Sequence, residues 1–409
     1  MKALHRVVLP NGIRLVYQQV ENTQIVHCGV FLDVGSRDES EATQGITHFW
    51  EHMAFKGTRK RKVFQIINSI DSVGGELNAY TDKEKVVFFT AVRDQYFERS
   101  VDVLADITFN SVFPDHEIEK ERGVILQEMA MYFDSPDDSL QDEFESVIYG
   151  KHPMGMNILG RHETVSTFSR ADFKGFFKEH LDTRRIVFSC VGSLPPSEVE
   201  QIFRSYFDVK PTKRTAKRKP AGKYKPQSKE LLRPVKQAKC AIGRPAYPVH
   251  HKNRIPFYLL VNMLGGPGMN SRLNMALREK HGYVYSIDAH YMAYTDTGMF
   301  AVFFGTKPNK LDRCIELVRQ ELDKFMDKPL NARQLKAAQE QLKGQMAMAE
   351  ENNQNMMMML GRSTLDLDRV PSLKEVFEII DGASPAMLRR IASEMFDPDG
   401  LSYLRMIPK

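Results

Sequence analysis

Two pairs of segments echo each other, in the same order, along this chain. Tyr80-Thr81-Asp82-Lys83-Glu84-Lys85-Val86-Val87-Phe88-Phe89-Thr90 is matched by Tyr294-Thr295-Asp296-Thr297-Gly298-Met299-Phe300-Ala301-Val302-Phe303-Phe304. Gln127-Glu128-Met129-Ala130-Met131 is matched by Gly344-Gln345-Met346-Ala347-Met348. Echoes at similar separations mark an internal repeat, which obliges the chain to build one domain twice. The length agrees, because 409 residues exceed what one hydrophobic core usually organises. A hydrophobic fraction of 42% is enough for two sizeable cores. The expected division is a first domain over 1–208, a basic connection over 209–230 and a second domain over 231–409. Within the first copy the start reads as a strand, a turn at Asn11-Gly12 and a strand back along 13–17. Residues 64–70, a glycine pair at Gly74-Gly75, strands through Leu77 and over 85–91, and a helix over 95–110 follow.

The first copy also carries His48-Phe49-Trp50-Glu51-His52. Residues four apart on a helix share one face, one turn above the other. Two imidazoles so placed can share a metal ion, with Glu51 beside them. This is the inverted zincin pattern, His-x-x-Glu-His. Gly45-Ile46-Thr47 offers a helix start, and no proline interrupts 47–56. An ordinary amphipathic helix would carry the same histidines as core or surface residues. A third donor weighs against that reading, since catalytic zinc usually takes three protein ligands and keeps one position for water.

Glu121-Arg122-Gly123-Val124-Ile125-Leu126-Gln127-Glu128-Met129 supplies it. The segment reads as a helix with Ile118, Val124, Ile125 and Met129 on its apolar side. Glu121 and Glu128 are two turns apart and face the same way. With these residues in place the chain resembles the pitrilysin and insulysin-type zinc peptidases (inverzincins), which include the mitochondrial processing peptidase, over nearly its whole length. The resemblance implies one Zn²⁺ per chain, held by His48, His52 and Glu128, with Glu121 at the position of the glutamate seven residues before the third ligand. Such an ion keeps a net positive charge and an open site, where water ionises near neutral pH instead of near its bulk pKa of about 15.7. Glu51 can take that proton and later return it to the leaving amine. Glu121 would orient a metal-bound histidine or the water. Its plainer reading is a solvated surface carboxylate.

The repeat tests this assignment. In the second half Tyr258 and Asn262 fall roughly where His48 and His52 sit, and Gln345 stands in the place of Glu128. All three positions lack a good zinc donor, so the second half is expected to keep the fold without the metal. Gly265-Gly266-Pro267-Gly268-Met269-Asn270-Ser271-Arg272-Leu273 is a loop leading into a helix, without the lysine and hydroxyl residue of a P-loop. The run Leu277-Arg278-Glu279-Lys280-His281-Gly282-Tyr283-Val284-Tyr285 matches the family's Arg and Tyr pair. The resemblance therefore gives Arg278 and Tyr285 the tasks of holding the substrate backbone and stabilising the oxyanion, which a guanidinium and a phenol can do. Tyr283 is the alternative phenol. In the first half Gly74-Gly75-Glu76-Leu77-Asn78-Ala79-Tyr80-Thr81 resembles the family's substrate-edge strand. An extended peptide can add to such an edge through main-chain hydrogen bonds. Asn78 would fix the edge or contact substrate, and Ala79 would keep it open.

Between the halves, prolines and like charges over 210–226 favour an extended, solvated connection. A nucleic-acid patch is the sharper alternative, but interleaved aromatics are missing and a net charge of +5 is modest. No nucleic acid and no membrane are expected as partners, because no apolar run approaches a membrane span. Cys28, Cys190, Cys240 and Cys314 form no Cys-x-x-Cys pair and read as reduced, buried thiols. With no hydrophobic signal stretch at the start, a cytoplasmic address is expected. His250, His251 and His281 read as surface residues, and Met356 to Met359 as core filler.

These readings converge on an α+β protein of two homologous domains, each an antiparallel sheet covered by helices, closing like a clamshell around a chamber. The expected activity is zinc-dependent endopeptidase cleavage of unfolded peptides, with a homodimer as the expected assembly and a self-closing monomer left open. The rival is a non-catalytic assembly subunit of the kind that shares this fold in respiratory complexes. Loss of the ligands or the base would mark that class, and His48, Glu51, His52 and Glu128 are all present.

Overall fold

The computed structural model describes residues 4–409. In chain order the strands are β1 (His5–Val8), β2 (Arg14–Gln19), β3 (Ile25–Leu32), β4 (Glu76–Thr81), β5 (Val86–Arg93), β6 (Ile186–Gly192), β7 (Ser228–Arg233), β8 (Ala238–Ala246), β9 (Val284–Ala293), β10 (Gly298–Thr306) and β11 (Ser402–Pro408). The helices of the first part are α1 (Ile46–Ala54), α2 (Val63–Asp71), α3 (Phe97–Phe109), α4 (Asp115–Phe133), α5 (Pro136–Tyr149), α6 (His162–Val165), α7 (Arg170–His180) and α8 (Pro196–Phe207). Those of the second part are α9 (Arg254–Gly265), α10 (Leu311–Asp327), α11 (Ala332–Glu350), α12 (Asn353–Leu367), α13 (Leu373–Asp381) and α14 (Pro385–Met395).

One sheet has the order β1-β2-β6-β3-β5-β4 and the other β7-β11-β8-β10-β9. Without β1, the two orders are the same walk. The first echo falls on equivalent hairpins, β4–β5 and β9–β10, and the second on α4 and α11. An α+β chain that builds one topology twice is therefore borne out. The sheets are not purely antiparallel, however. β2 runs parallel to β6, and β7 parallel to β11. Each of these pairs is joined by a long excursion of helices and strands instead of a hairpin, which is what a parallel neighbour requires.

The strands read as near-continuous apolar runs because both faces are covered. Every residue of β6 is buried. In the first sheet α3 packs on β3 and β5 on one face, and α12 lies on β6, β3 and β2 on the other. Met356, Met357, Leu360 and Leu365 of α12 meet Val16, Phe31, Val87, Val187 and Val191. The hydroxyl of Ser189 donates to the Met357 carbonyl at 2.7 Å. In the second sheet Leu140, Phe144, Val147 and Ile148 of α5 pack against Ala241, Met299, Ala301, Leu404 and Met406.

Each repeat thus lends one helix to the other's sheet, and the compact units are discontinuous. The first takes the chain through Ala130, Met156–Lys219 and Ala349–Val370; the second takes Met131–Gly155, Pro220–Met348 and Pro371–Lys409. The continuous division into 1–208 and 231–409 is corrected accordingly. Met356 to Met359 are core filler as expected, but in the sheet of the first copy.

One of the passages between the units, at Lys219–Pro220, falls inside the basic stretch. No helix or strand forms between Phe207 and Ser228, as extension predicts. The charge run is solvated over most of its length, with Lys210, Lys213, Lys217, Lys219, Lys223 and Lys225 exposed, but two of its arginines are held. Arg218 pairs with Asp38 at 2.8 Å and with Asp33 at 3.1 Å, Arg214 also bonds Asp38, and the Asp38 side chain is 0% exposed. Arg37 donates to the Lys219 carbonyl at 2.9 Å. Burial alone would raise the Asp38 carboxyl, but Arg218 and then Arg214 outweigh it and hold it below its ordinary value. Removing one partner of a buried pair costs about 3–5 kcal/mol. Arg218→Met should therefore lower the denaturant midpoint by a corresponding amount, with partial recovery when Asp38→Leu is added. An unchanged midpoint would mean that the stretch is held by something other than its charges.

All four cysteines are buried and unpaired. Cys28 and Cys190 stand opposite each other in the β3–β6 register.

Candidate metal centre

α1 begins at Gly45, whose φ of +96° belongs to the left-handed region that glycine enters without strain. A Cβ there would lie 2.8 Å from Leu159 O and Gly160 Cα, so the entry also needs glycine for space. The Glu39 carboxylate accepts from the Gly45 and Thr47 N–H groups, both at 2.8 Å, and satisfies the start of the helix. Phe49, Trp50 and Met53 turn into the core. Trp50 packs edge-on at 5.7 Å from Phe88 and 4.2 Å from Phe177. Anchoring that face leaves His48, Glu51 and His52 on the other side.

Burial pushes the Glu39 carboxyl up to about 8, while its bonds to Thr47 and Gly45 pull the other way. A raised acid binds a proton in the folded chain that the unfolded chain has released. Its contribution to stability therefore falls as pH rises from the ordinary glutamate value towards 8. The thermal advantage of the parent over Glu39→Gln should be largest near pH 5 and shrink by pH 8. An advantage that grows with pH would show that the two N–H groups keep the carboxylate ionised.

The His48 and His52 rings lie 4.8 Å apart. From α4, Glu128 brings one oxygen to 3.8 Å from His48 Nε2 and the other to 3.5 Å from His52 Nε2. One donor atom from each of the three lies within 4.8 Å of the others. A tetrahedral zinc with bonds of roughly 2.0–2.2 Å needs donors about 3.4 Å apart. The three side chains therefore fit the ion with small rotamer adjustments. His52 Nδ1 faces Glu121 Oε2 at 3.1 Å, and Lys56 Nζ donates to the other Glu121 oxygen at 2.7 Å. Burial would lower His52, but Glu121 and Glu128 outweigh it and lift it to about 9. Burial, and next the charge of His52, push His48 down. His48 Nδ1 is buried without a hydrogen-bond partner.

Glu121 is buried with Ile118, Ile125 and Met129, the inward face of α4. Val124 is 48% exposed, so its expected place on that face is corrected. One residue is about 100° of helical turn, which carries it away from Ile125. Glu51 lies outside the donor set. Its Oε2 accepts from the Thr81 hydroxyl at 2.6 Å, and burial raises its carboxyl above the ordinary value against that bond. β4, which ends in Thr81, is the outer strand of its sheet. Leu77, Asn78 and Ala79 of this strand share with Glu51, His52 and Glu121 the lining of a cavity of about 340 Å³.

Thr81 and Lys56 are contacts that the sequence reading did not single out. Lys56 continues the four-residue step from His48 through His52, a signal that was available. For Thr81 there was none. Arg278 lies in the π-helical turn Asn274–Glu279 of the second unit, 5.8 Å from the Tyr285 ring in β9. Tyr285 is 85% exposed, whereas Tyr283 is partly buried against the core and stacks on His281. In α9, Asn262 is buried and Tyr258 exposed.

Residues 14–162 match the model of the insulinase family, peptidase family M16, and residues 167–342 that of the peptidase M16 inactive domain. The chain belongs to the M16 peptidase family. Over 403 residues it is 32% identical to an "uncharacterized zinc protease", YmxG, of Bacillus subtilis (strain 168), covering 97% of this chain and 96% of that protein. Over 400 residues it is 30% identical to the "uncharacterized zinc protease" SCO5738 of Streptomyces coelicolor, covering 96% and 87%. A protease from Helicobacter pylori superposes with a TM-score of 0.92 at 20% identity, covering 100% of both chains. A peptidase M16 inactive domain from Pseudomonas fluorescens does so with 0.92 at 16%, covering 100% and 98%. At these identities the two structures share the fold.

Proposed function

We propose that this chain is a zinc-dependent endopeptidase that hydrolyses unfolded peptides. The observation that carries the reading is a set of three donors, His48, His52 and Glu128, beside a carboxylate that is not one of them. When bound, zinc would polarise the scissile carbonyl and make an adjacent water more acidic. Glu51, oriented by Thr81, takes the proton of the attacking water and returns it to the leaving amine. Glu121, held by Lys56, fixes the ring of His52. The outer edge of β4 accepts the peptide in extended form, with little demand on its sequence. Cleavage of a quenched peptide library, lost on chelation and restored by zinc, tests the activity. A protein that holds zinc and cleaves no member of the library would instead be an assembly subunit.

Enclosure of the substrate between the two halves, a homodimer and a cytoplasmic address belong to the same reading and rest on the sequence. So do the roles of Arg278 and Tyr285. No described helix is long and apolar enough to cross a membrane. If the phenol of Tyr285 donates to the oxyanion, Tyr285→Phe should lower turnover by roughly 10²–10³-fold and leave zinc content and melting temperature unchanged. If Tyr283→Phe has that effect and Tyr285→Phe has none, the neighbouring phenol does the work.

A further inference from the structure

The second unit contains a cavity that the proposed peptidase reaction does not use. It lies where the helical turn after Ser271 meets the last turns of α10 and the 328–331 connection into α11, has a volume of about 810 Å³ and is open to solvent. Small-molecule sites span roughly 300–1,000 Å³. Arg272, Lys280, Lys324 and Lys328 line it, against one carboxylate, Glu321. Glu321 pairs with Lys324 at 2.5 Å. Among the described residues, no carboxylate lies within ion-pair distance of Arg272, Lys280 or Lys328.

Arg272 is the most informative of these side chains. Its guanidinium carbon lies 3.8 Å from the centre of the Phe325 ring, a cation–π contact that restrains the side chain. Burial lowers its pKa, with Glu321 opposing. Among the described residues none accepts a hydrogen bond from this half-buried guanidinium, so its N–H donors are available for bidentate bonds to an oxyanion. Lys280 and Lys328 are exposed and add two mobile charges. Buried Leu317 and Leu330 give the same cavity an apolar wall. Arg272, Lys280, Lys324 and Lys328 against the single carboxylate of Glu321 leave an excess of positive charge at one cavity, and an anion would relieve the repulsion among them.

We propose that this cavity binds a small organic polyanion, an apolar body bearing at least two phosphate or carboxylate groups, held by Arg272, Lys280 and Lys328. A concave site of this volume, as distinct from a stripe of charge along a face, favours a compact ligand over a nucleic acid.

Isothermal titration of the intact zinc-loaded protein with ATP, sodium tripolyphosphate and citrate, without added divalent cation, tests the proposal. The expected result is saturable binding of ATP or citrate, weakened about tenfold or more in the Lys280→Gln/Lys328→Gln double variant. Both substitutions fall on exposed side chains, so folding should be preserved. Arg272→Gln should weaken binding at least as much, with its fold checked by thermal melting because the Phe325 contact is lost. Binding of ATP but not citrate assigns a phosphate ester, and the reverse assigns a polycarboxylate. Tripolyphosphate binding as tightly as ATP would remove the apolar body from the proposal. No saturable binding of any probe would overturn it. Binding unchanged in the double lysine variant would also do so, and it is the result expected if these chelating probes act only at the zinc centre.

Discussion

Glu51→Gln is expected to lower peptide turnover by at least ~10²–10⁴-fold, the range attributed to general acid–base catalysis, while zinc content stays at the parent level. Glutamine keeps the shape and an acceptor for the Thr81 hydroxyl, which lies 2.6 Å from Glu51 Oε2, but it cannot take a proton at neutral pH. Zinc should be retained because Glu51 stands outside the His48, His52 and Glu128 set. Turnover measured alongside metal content on the same sample separates the two roles. Near-normal cleavage by this variant would rule out Glu51 as the base and leave the zinc assignment standing.

The second large effect is expected from the ligands. His52→Ala and Glu128→Gln should each lose the metal and, with it, peptidase activity. Because a metal bound only by the folded chain stabilises it by mass action, chelation should lower the melting temperature of the parent and leave that of Glu128→Gln unmoved. Glu121→Gln is graded differently. It disturbs only the carboxylate behind His52, at 3.1 Å from Nδ1, and should weaken zinc binding by ~10–100-fold, as loss of an outer-shell partner typically does. Full zinc retention in both His52→Ala and Glu128→Gln would sink the assignment of the centre.

Much of the candidate centre was readable in advance because its chemistry is local. His48, Glu51 and His52 occupy a single helix, and the four-residue step alone places both imidazoles on one face. The helical period likewise sets Glu121 and Glu128 on one face, while their roles at a metal came from the resemblance to the inverzincins. The same period, applied to apolar residues, put Val124 on the inward face, and there it misled. The inward stripe of α4 runs through Ile118, Glu121, Ile125 and Met129, so a carboxylate and not Val124 completes it. Glu121 can be buried because His52 and Lys56 pair with it, and both lie on another segment. The bond from Thr81 to Glu51 joins the last residue of an edge strand to a helix, and no spacing rule links the two.

The repeat, the strand–turn–strand start, the hairpins and the His-x-x-Glu-His helix follow from the order of residues alone. Periodicity and turn chemistry act over a few neighbours, and an internal echo needs no partner to be seen. Folding in three dimensions settled which surfaces meet. The apolar stripes of α5 and α12 show that each helix must be covered, but an apolar stripe carries no address. Their exchange between the two sheets is a property of packing. The basic stretch makes the same point with charge. As composition it reads as a solvated run, yet Arg218 is held by Asp33 and Asp38. Whether a charge is hydrated or paired depends on what stands opposite it, and here the partners lie far away along the chain.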